Sequence, residues 1–392
     1  MPLQVAERIR DLPNYPFVAI NAQVRQLQEA GRKIYNMNMG SPDLPPPAWV
    51  VEALSTAAHN PHKHGYAGYQ GLPAFRQAVA RYYQKLFGVE LDPEKEVLPL
   101  LGSKEGLVNM TLALVGSGDA VLIPNPAYPA YEMAARLAGG EPYLFPLLES
   151  ENYLPNLDRL PVEVAERAKI LWANYPHNPT GVVASLEDYG RMLDYCRQHD
   201  ILLMSDNPYF AVTFDGSPPV SALQAPGAKE RVVEFMSLSK SHNMAGWRLG
   251  AAVGNAEAIA ALLKVKSNMD SGHFAAVYEA GVAALEQTPQ DWIDERNQVY
   301  WRRAQILMEA LPQAGLSVPL PPKGGIYLWA KVANGDDVGY CQAALMATGV
   351  SMVPGSIYGE VGQGYIRLSL MVPEAELGGV TESLKAWWAT QA

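Results

Sequence analysis

A large α/β domain built on a mainly parallel seven-stranded sheet, followed by a smaller α+β domain, is the fold class that the sequence predicts. Three observations carry this expectation. The 392-residue length exceeds what one hydrophobic core usually organises. From about residue 96 to 254, short apolar runs alternate with helical patterns, as parallel strands covered by helices on both faces require. A long amphipathic stretch then leads into a second group of strand patterns.

Taken in order, the N-terminal segment is rich in proline from Pro42 to Pro47 and is expected to wrap onto the smaller domain. Residues 1–45 are therefore assigned to that packing, 46–290 to the large domain and 291–392 to the small one. Strands of the large sheet are predicted at Val97 to Leu101, Ala120 to Pro124, Pro142 to Phe145, Ile170 to Ala173, Ile201 to Ser205, Val232 to Ser237 and Gly250 to Val253. Several end in polar residues or glycine, and ligands of open α/β sheets gather at the carboxyl ends of strands. Over Asp291 to Leu311, residues such as Ile293, Ala304, Leu307 and Leu311 recur at helical spacing with charges between them, which predicts one long helix. Gly325 to Trp329, Val350 to Val353 and Tyr365 to Leu370 read as strands of the small domain.

Composition narrows the function. A net charge of -10, with no basic block, excludes electrostatic binding to nucleic acid or to an anionic membrane. Cys196 and Cys341 are far apart and lack CxxC spacing, so two reduced, partly buried thiols are expected, with neither disulfide nor metal site. No apolar stretch is long enough to cross a bilayer, and the start MPLQVAERIRDLPNYPF has no signal-peptide pattern, so a cytoplasmic protein is expected.

Four stretches carry candidate chemistry. In Ser237-Leu238-Ser239-Lys240, directly after an apolar strand, a lysine is followed eight residues later by Arg248. An isolated lysine or arginine is usually a solvated cation. Here, however, an amine able to form an imine with an aldehyde stands beside hydroxyls and a guanidinium suited to a phosphate. Leu101-Gly102-Ser103-Lys104 turns a strand into a helix, whose N-terminal NH groups and serine hydroxyl attract anions, although the pattern is common in any α/β protein. Asp206, in Ser205-Asp206-Asn207-Pro208-Tyr209, is placed to keep a pyridine nitrogen protonated, with a turn cap as the alternative. Asn174-Tyr175-Pro176-His177-Asn178-Pro179-Thr180-Gly181 is a rigid loop. There Asn178, helped by Tyr209, is suited to a cofactor's phenolic oxygen, the alternative being an Asn-Pro turn without a ligand.

In this order the four elements resemble the class I/II aminotransferases of the fold-type-I pyridoxal-phosphate family, over nearly the whole chain from Asn38 to Leu368. The resemblance implies pyridoxal 5'-phosphate as cofactor, with Lys240 as Schiff-base lysine and proton shuttle and Asp206 on the pyridine nitrogen. Asn178 and Tyr209 would meet the 3'-oxygen, and Tyr128 would stack on the ring. Ser103, Lys104, Ser237, Ser239 and Arg248 would form the phosphate cup. Tyr66 matches a tyrosine that reaches the phosphate from a neighbouring subunit, which implies a homodimer with shared sites. Arg367, with Asn178, would clamp the substrate α-carboxylate, while Tyr15 and Gly40 close over the substrate.

Within the family the likeness is closest to LL-diaminopimelate aminotransferases and their alanine and aspartate relatives, through Phe87 to Pro93, Gly102 to Gly106 and Lys266 to Gly272. The expected reaction moves an amino group from LL-diaminopimelate, alanine or aspartate to a 2-oxo acid such as 2-oxoglutarate by a ping-pong route. Lys104 and Asn268 are candidates to read a distal polar group, with helix capping or a surface pair as the other reading of Lys104. His177 and His242 depart from the pattern, and a local hydrogen bond is the safer reading for both. A pyridoxal-phosphate-dependent carbon-sulfur β-lyase shares most of these motifs, and a non-catalytic ligand-sensing domain ranks last.

Overall fold

A computed structural model describes residues 3–10, 12–214, 216 and 218–391. Thirteen strands occur among them, beginning with the short β1 (Tyr35–Asn36). The seven predicted strands follow as β2 (Val97–Leu100), β3 (Ala120–Asn125), β4 (Glu141–Pro146), β5 (Ala168–Ala173), β6 (Leu202–Asp206), β7 (Val232–Ser237) and β8 (Gly250–Gly254). They form one sheet in the order β2-β8-β7-β6-β5-β3-β4, parallel except for β8, which runs against both of its neighbours.

Both faces of this sheet are buried except along its edge strand β4, which is why the inner strands read as continuous apolar runs. In β5, Ile170 and Trp172 enter one core cluster while Leu171 and Ala173 enter another. Full burial of Ile170 and of Leu171 contributes about 1.5–3 kcal/mol each. Glu234 interrupts the apolar run of β7. It is tolerated because Tyr83, Ser205, Ser221 and the Ala222 amide all donate hydrogen bonds to its carboxyl group, at 2.7 to 3.0 Å.

The long helix spans Gln290–Ala310, within a residue of its predicted limits. Beyond it lie β9 (Leu316–Ser317), β10 (Tyr327–Val332), β11 (Val350–Ser351), β12 (Val353–Pro354) and β13 (Tyr365–Ser369). A four-stranded sheet has the order β12-β13-β10-β9, with all its pairs antiparallel. The single strand predicted at Val350 to Val353 is in fact two, in different sheets. β11 pairs with β1, so the N-terminal segment adds a strand beside the C-terminal part of the chain. Asp43 ties the same segment to the long helix through a bidentate pair with Arg303, 2.8 Å on each arm. Cys196 and Cys341 are free thiols and fully rather than partly buried. Among the described residues, no helix is long and apolar enough to cross a membrane.

Candidate active site

At the carboxyl ends of the large sheet lies a cavity of about 350 Å³, and all but two of the sequence-predicted site residues line it. A larger cavity of about 540 Å³, beside Phe210 to Phe214 and the helix Gln290–Ala310, holds none of them.

The cavity floor is built by strand ends. Ser237 closes β7 and caps the short helix Leu238–Ser241, its hydroxyl accepting from the Ser239 amide at 3.2 Å. Lys240 therefore rises from a helical turn anchored to the sheet, and its Nζ donates to the Gly40 carbonyl. Burial, with Arg367 and Arg248 nearby, lowers its pKa from the usual lysine range to about 7. An amine so tuned is available as a neutral nucleophile or base near neutrality.

Asp206 ends β6. Its Oδ2 accepts from the Tyr131 hydroxyl at 2.7 Å, whereas its buried Oδ1 has no partner. Burial raises its carboxyl pKa to about 7, against the lowering effect of the Tyr131 bond. An unpartnered carboxylate oxygen in a dry site is a receptor for a cationic N–H, which is what a protonated pyridine nitrogen presents.

Beyond β2, Gly102 sits at φ +81°, and a Cβ there would overlap the Arg248 guanidinium. That close approach lets Arg248, itself in the left-handed region at φ +57°, lie beside the start of the helix Ser103–Leu114. Ser103, Ser237, Ser239 and Arg248 thus converge on one corner whose donors suit a phosphate dianion. Tyr128 lines the same cavity, and its hydroxyl accepts from the Tyr15 hydroxyl at 3.1 Å. Unpaired Asp206 Oδ1, the phosphate corner and the near-neutral lysine together fit pyridoxal phosphate.

The opposite wall comes from distant parts of the chain. Arg367, in β13, donates to Asn178 Oδ1 at 3.1 Å and to the Asn38 carbonyl at 2.9 Å, while its buried Nε has no partner. Its guanidinium lies 3.8 Å from the Tyr327 ring centroid. Gly40 is required by packing, because a Cβ there would overlap the Tyr327 hydroxyl. Tyr209 donates to that same hydroxyl at 3.4 Å. Lys104 Nζ stands 4.0 Å from the Tyr15 ring centroid and 5.8 Å from that of Tyr128, which favours a cavity-facing cation over a surface ion pair.

Two expected residues are elsewhere. Asn268 is exposed and donates to the Lys264 carbonyl at 2.8 Å, satisfying an open carbonyl at its own helix end. Tyr66 is 92% exposed and does not line this chain's cavity. His177 and His242 are buried outside the cavity, bonded to Thr180 and Ser241, and burial holds both near a pKa of about 3. Sequence reasoning missed Tyr131, Asn21, Asn38 and Tyr327. Only Asn38 and Tyr327 lay in stretches already singled out, and nothing local marked them as cavity residues.

The family described as aminotransferase class I and II matches residues 32–384. An LL-diaminopimelate aminotransferase of Moorella thermoacetica is 43% identical over 384 residues, covering 98% of each chain. Among solved structures, substrate-bound BacF from Bacillus subtilis superposes with a TM-score of 0.93 at 32% identity, covering 98% of each chain. A probable N-succinyldiaminopimelate aminotransferase from Thermus thermophilus gives 0.88 at 39% identity, over 95% of this chain and 99% of its own.

Proposed function

The chain belongs to the class I and II aminotransferase family, and on that premise we propose that it takes the amino group of LL-diaminopimelate and passes it to a 2-oxo acid such as 2-oxoglutarate. As a family member it is a pyridoxal-phosphate-dependent transaminase working in two half-reactions. The donor is chosen on the curated relatives at 41–44% identity over nearly the full length.

The bound cofactor supplies an electron sink for the charge left when the donor loses its α-proton. The chain's own residues do the rest. Lys240 would hold the cofactor through its amine and, with the donor bound, would take up and hand back the donor's α-proton. Asp206 would keep the ring nitrogen protonated through its free Oδ1. Tyr209 and Asn178 would hold the 3'-oxygen, and Tyr128 would cover the ring face. Ser103, Ser237, Ser239, Arg248 and the backbone NH of Lys104 would grip the phosphate, joined by Tyr66 of the partner subunit. Arg367, with Asn178, binds the α-carboxylate as a planar fork, and Tyr15 and Gly40 wall the substrate in. Lys104, held over Tyr15, meets the distal end of the donor.

The observation that carries this reading is the convergence of Lys240, Asp206 and Arg367, residues far apart in sequence, on one cavity. The proposal includes a cytoplasmic homodimer. It also retains the division into an N-terminal segment (1–45), a large domain (46–290) and a small domain (291–392). To test it, cofactor-loaded protein is mixed with LL-diaminopimelate, alanine, aspartate or glutamate, and loss of the lysine-linked visible absorbance is timed. Fast conversion by LL-diaminopimelate alone is expected. Equal rates with alanine or aspartate would make this a general aminotransferase. Pyruvate and ammonia released from cystathionine without an oxo acid would instead support the β-lyase reading.

A further inference from the structure

The helix Gln290–Ala310 carries a buried cation that none of the roles above uses. Arg296 is 3% exposed, and its hydrogen bonds go to uncharged oxygens. Its Nη1 donates to the carbonyl of Lys240, at 3.1 Å, and to that of Ser241. Its Nη2 donates to the Ala211 carbonyl at 2.6 Å and to Asn297 Oδ1 at 2.8 Å. Asn297 Nδ2 grips the same Ala211 carbonyl at 3.0 Å.

Burying a guanidinium without an anion is costly, so packing alone is a poor reason for an arginine here. The compensation comes from backbone dipoles, with the Trp292 ring centroid 5.5 Å from the guanidinium adding to them. Lys240 and Ser241 close the helix Leu238–Ser241, whose last carbonyls lack helical partners and favour a cation. Ala211 lies two residues beyond Tyr209. A planar fork of five donors can hold all three carbonyls at fixed angles, whereas a lysine ammonium cannot.

One and two turns along the helix, the neighbouring side chains continue the pattern. The Tyr300 hydroxyl donates to Asn243 Oδ1 at 3.2 Å, three residues past Lys240. Arg303 holds Asp43 and the Leu370 carbonyl, each three residues from groups of the cavity wall, Gly40 and Arg367. One helix therefore touches both the backbone that carries the lysine and the segments that its amine faces.

We propose that Arg296 is a positioning residue for Lys240: by clamping the carbonyls of Lys240, Ser241 and Ala211 it fixes the backbone from which the lysine moves the substrate proton. The inference rests on the role given to Lys240 above. Arg367, Arg248 and Asp206, which share the lysine's cavity, are untouched by a change at Arg296.

The test compares cofactor-loaded wild type with Arg296→Lys, Arg296→Gln and, as a control on the same helix, Arg302→Lys, whose exposed side chain pairs with Glu374. Each is measured for thermal stability, the pH midpoint of the lysine-linked visible band, and half-reaction rate with α-deuterated donor. For Arg296→Lys, cofactor content is kept, the midpoint shifts, the isotope effect rises, and kcat falls about tenfold or more with little change in KM. Arg302→Lys is expected to leave cofactor content, midpoint and isotope effect at wild-type values. An Arg296→Lys protein with wild-type midpoint and isotope effect overturns the proposal, whatever its stability. Should both Arg296 variants fail to fold, Asn297→Ala loosens the clamp while keeping the guanidinium. A smaller shift in the same direction supports the proposal, and none refutes it. If wild type itself shows no lysine-linked band, the role of Lys240 falls first and the clamp falls with it.

Discussion

The floor and the opposite wall of the cavity are built in different ways. Floor groups, Ser103, Asp206, Ser237 and Lys240, stand at or just beyond the ends of strands in one sheet buried on both faces. The wall brings Gly40 from the N-terminal segment together with Tyr327 and Arg367 from the four-stranded sheet. A few side-chain contacts hold it to the floor, among them Lys240 to Gly40 and Arg367 to Asn178. Rigid secondary structure thus fixes the groups assigned to the cofactor, while the groups assigned to the substrate are placed by tertiary contacts spanning up to 329 residues of chain. In such a design, floor substitutions should cost chemistry and wall substitutions should cost substrate affinity.

The sharpest break is Lys240→Ala, expected to lower turnover by about a thousandfold or more and to remove the lysine-linked visible band. Retained transamination would take the chemistry off the floor. Next in size, Arg367→Ala is expected to cut kcat/KM by about a hundredfold, chiefly through KM, with cofactor affinity nearly unchanged. Comparable loss of cofactor, measured by dialysis and absorbance, would mean that floor and wall do not act separately.

Asp206→Asn sharpens the comparison because its sign depends on the cofactor. With cofactor bound, turnover should fall about tenfold or more as ring protonation is lost. Without it, the carboxyl pKa is raised by burial to about 7. The folded protein then holds this proton more tightly than the unfolded chain, so stability falls as pH rises from about 4 to about 7. Asparagine has no such dependence. Cofactor-free Asp206→Asn should therefore be more stable than wild type at pH 8, by on the order of 1–4 kcal/mol, with the gap closing toward pH 4. Urea unfolding curves of equal pH dependence in the two proteins would contradict this. The smallest effect is expected from Tyr66→Phe, a severalfold loss of cofactor affinity from one lost hydrogen bond. Unchanged affinity would remove Tyr66 from the phosphate site.

The large sheet was legible because burial on both faces makes apolar runs, and the long helix because its apolar face repeats at helical spacing. Strands β1 and β9 were not, since two residues carry no periodicity, and the β11/β12 break at Met352 follows from pairing partners far away in the chain. At the site, Lys240, Asp206 and Ser103 were readable because strand ends put them in recognisable stretches. Tyr131 and Asn21 were not. Tyr131 sits on an ordinary amphipathic helix, and only the packing of that helix aims its hydroxyl at Asp206. Asn268, read as reaching a distal polar group, lies outside this chain's cavity, where its amide serves the Lys264 carbonyl near its own helix end.

The central claim is that Lys240 is the residue linked to the cofactor. Borohydride reduction of the loaded protein followed by peptide mass spectrometry tests it most directly, because reduction turns the imine into a stable secondary amine. A pyridoxyl phosphate mass on the peptide containing Lys240, absent from Lys240→Ala, is the expected result. The same mass on another lysine, or on none, would contradict the account.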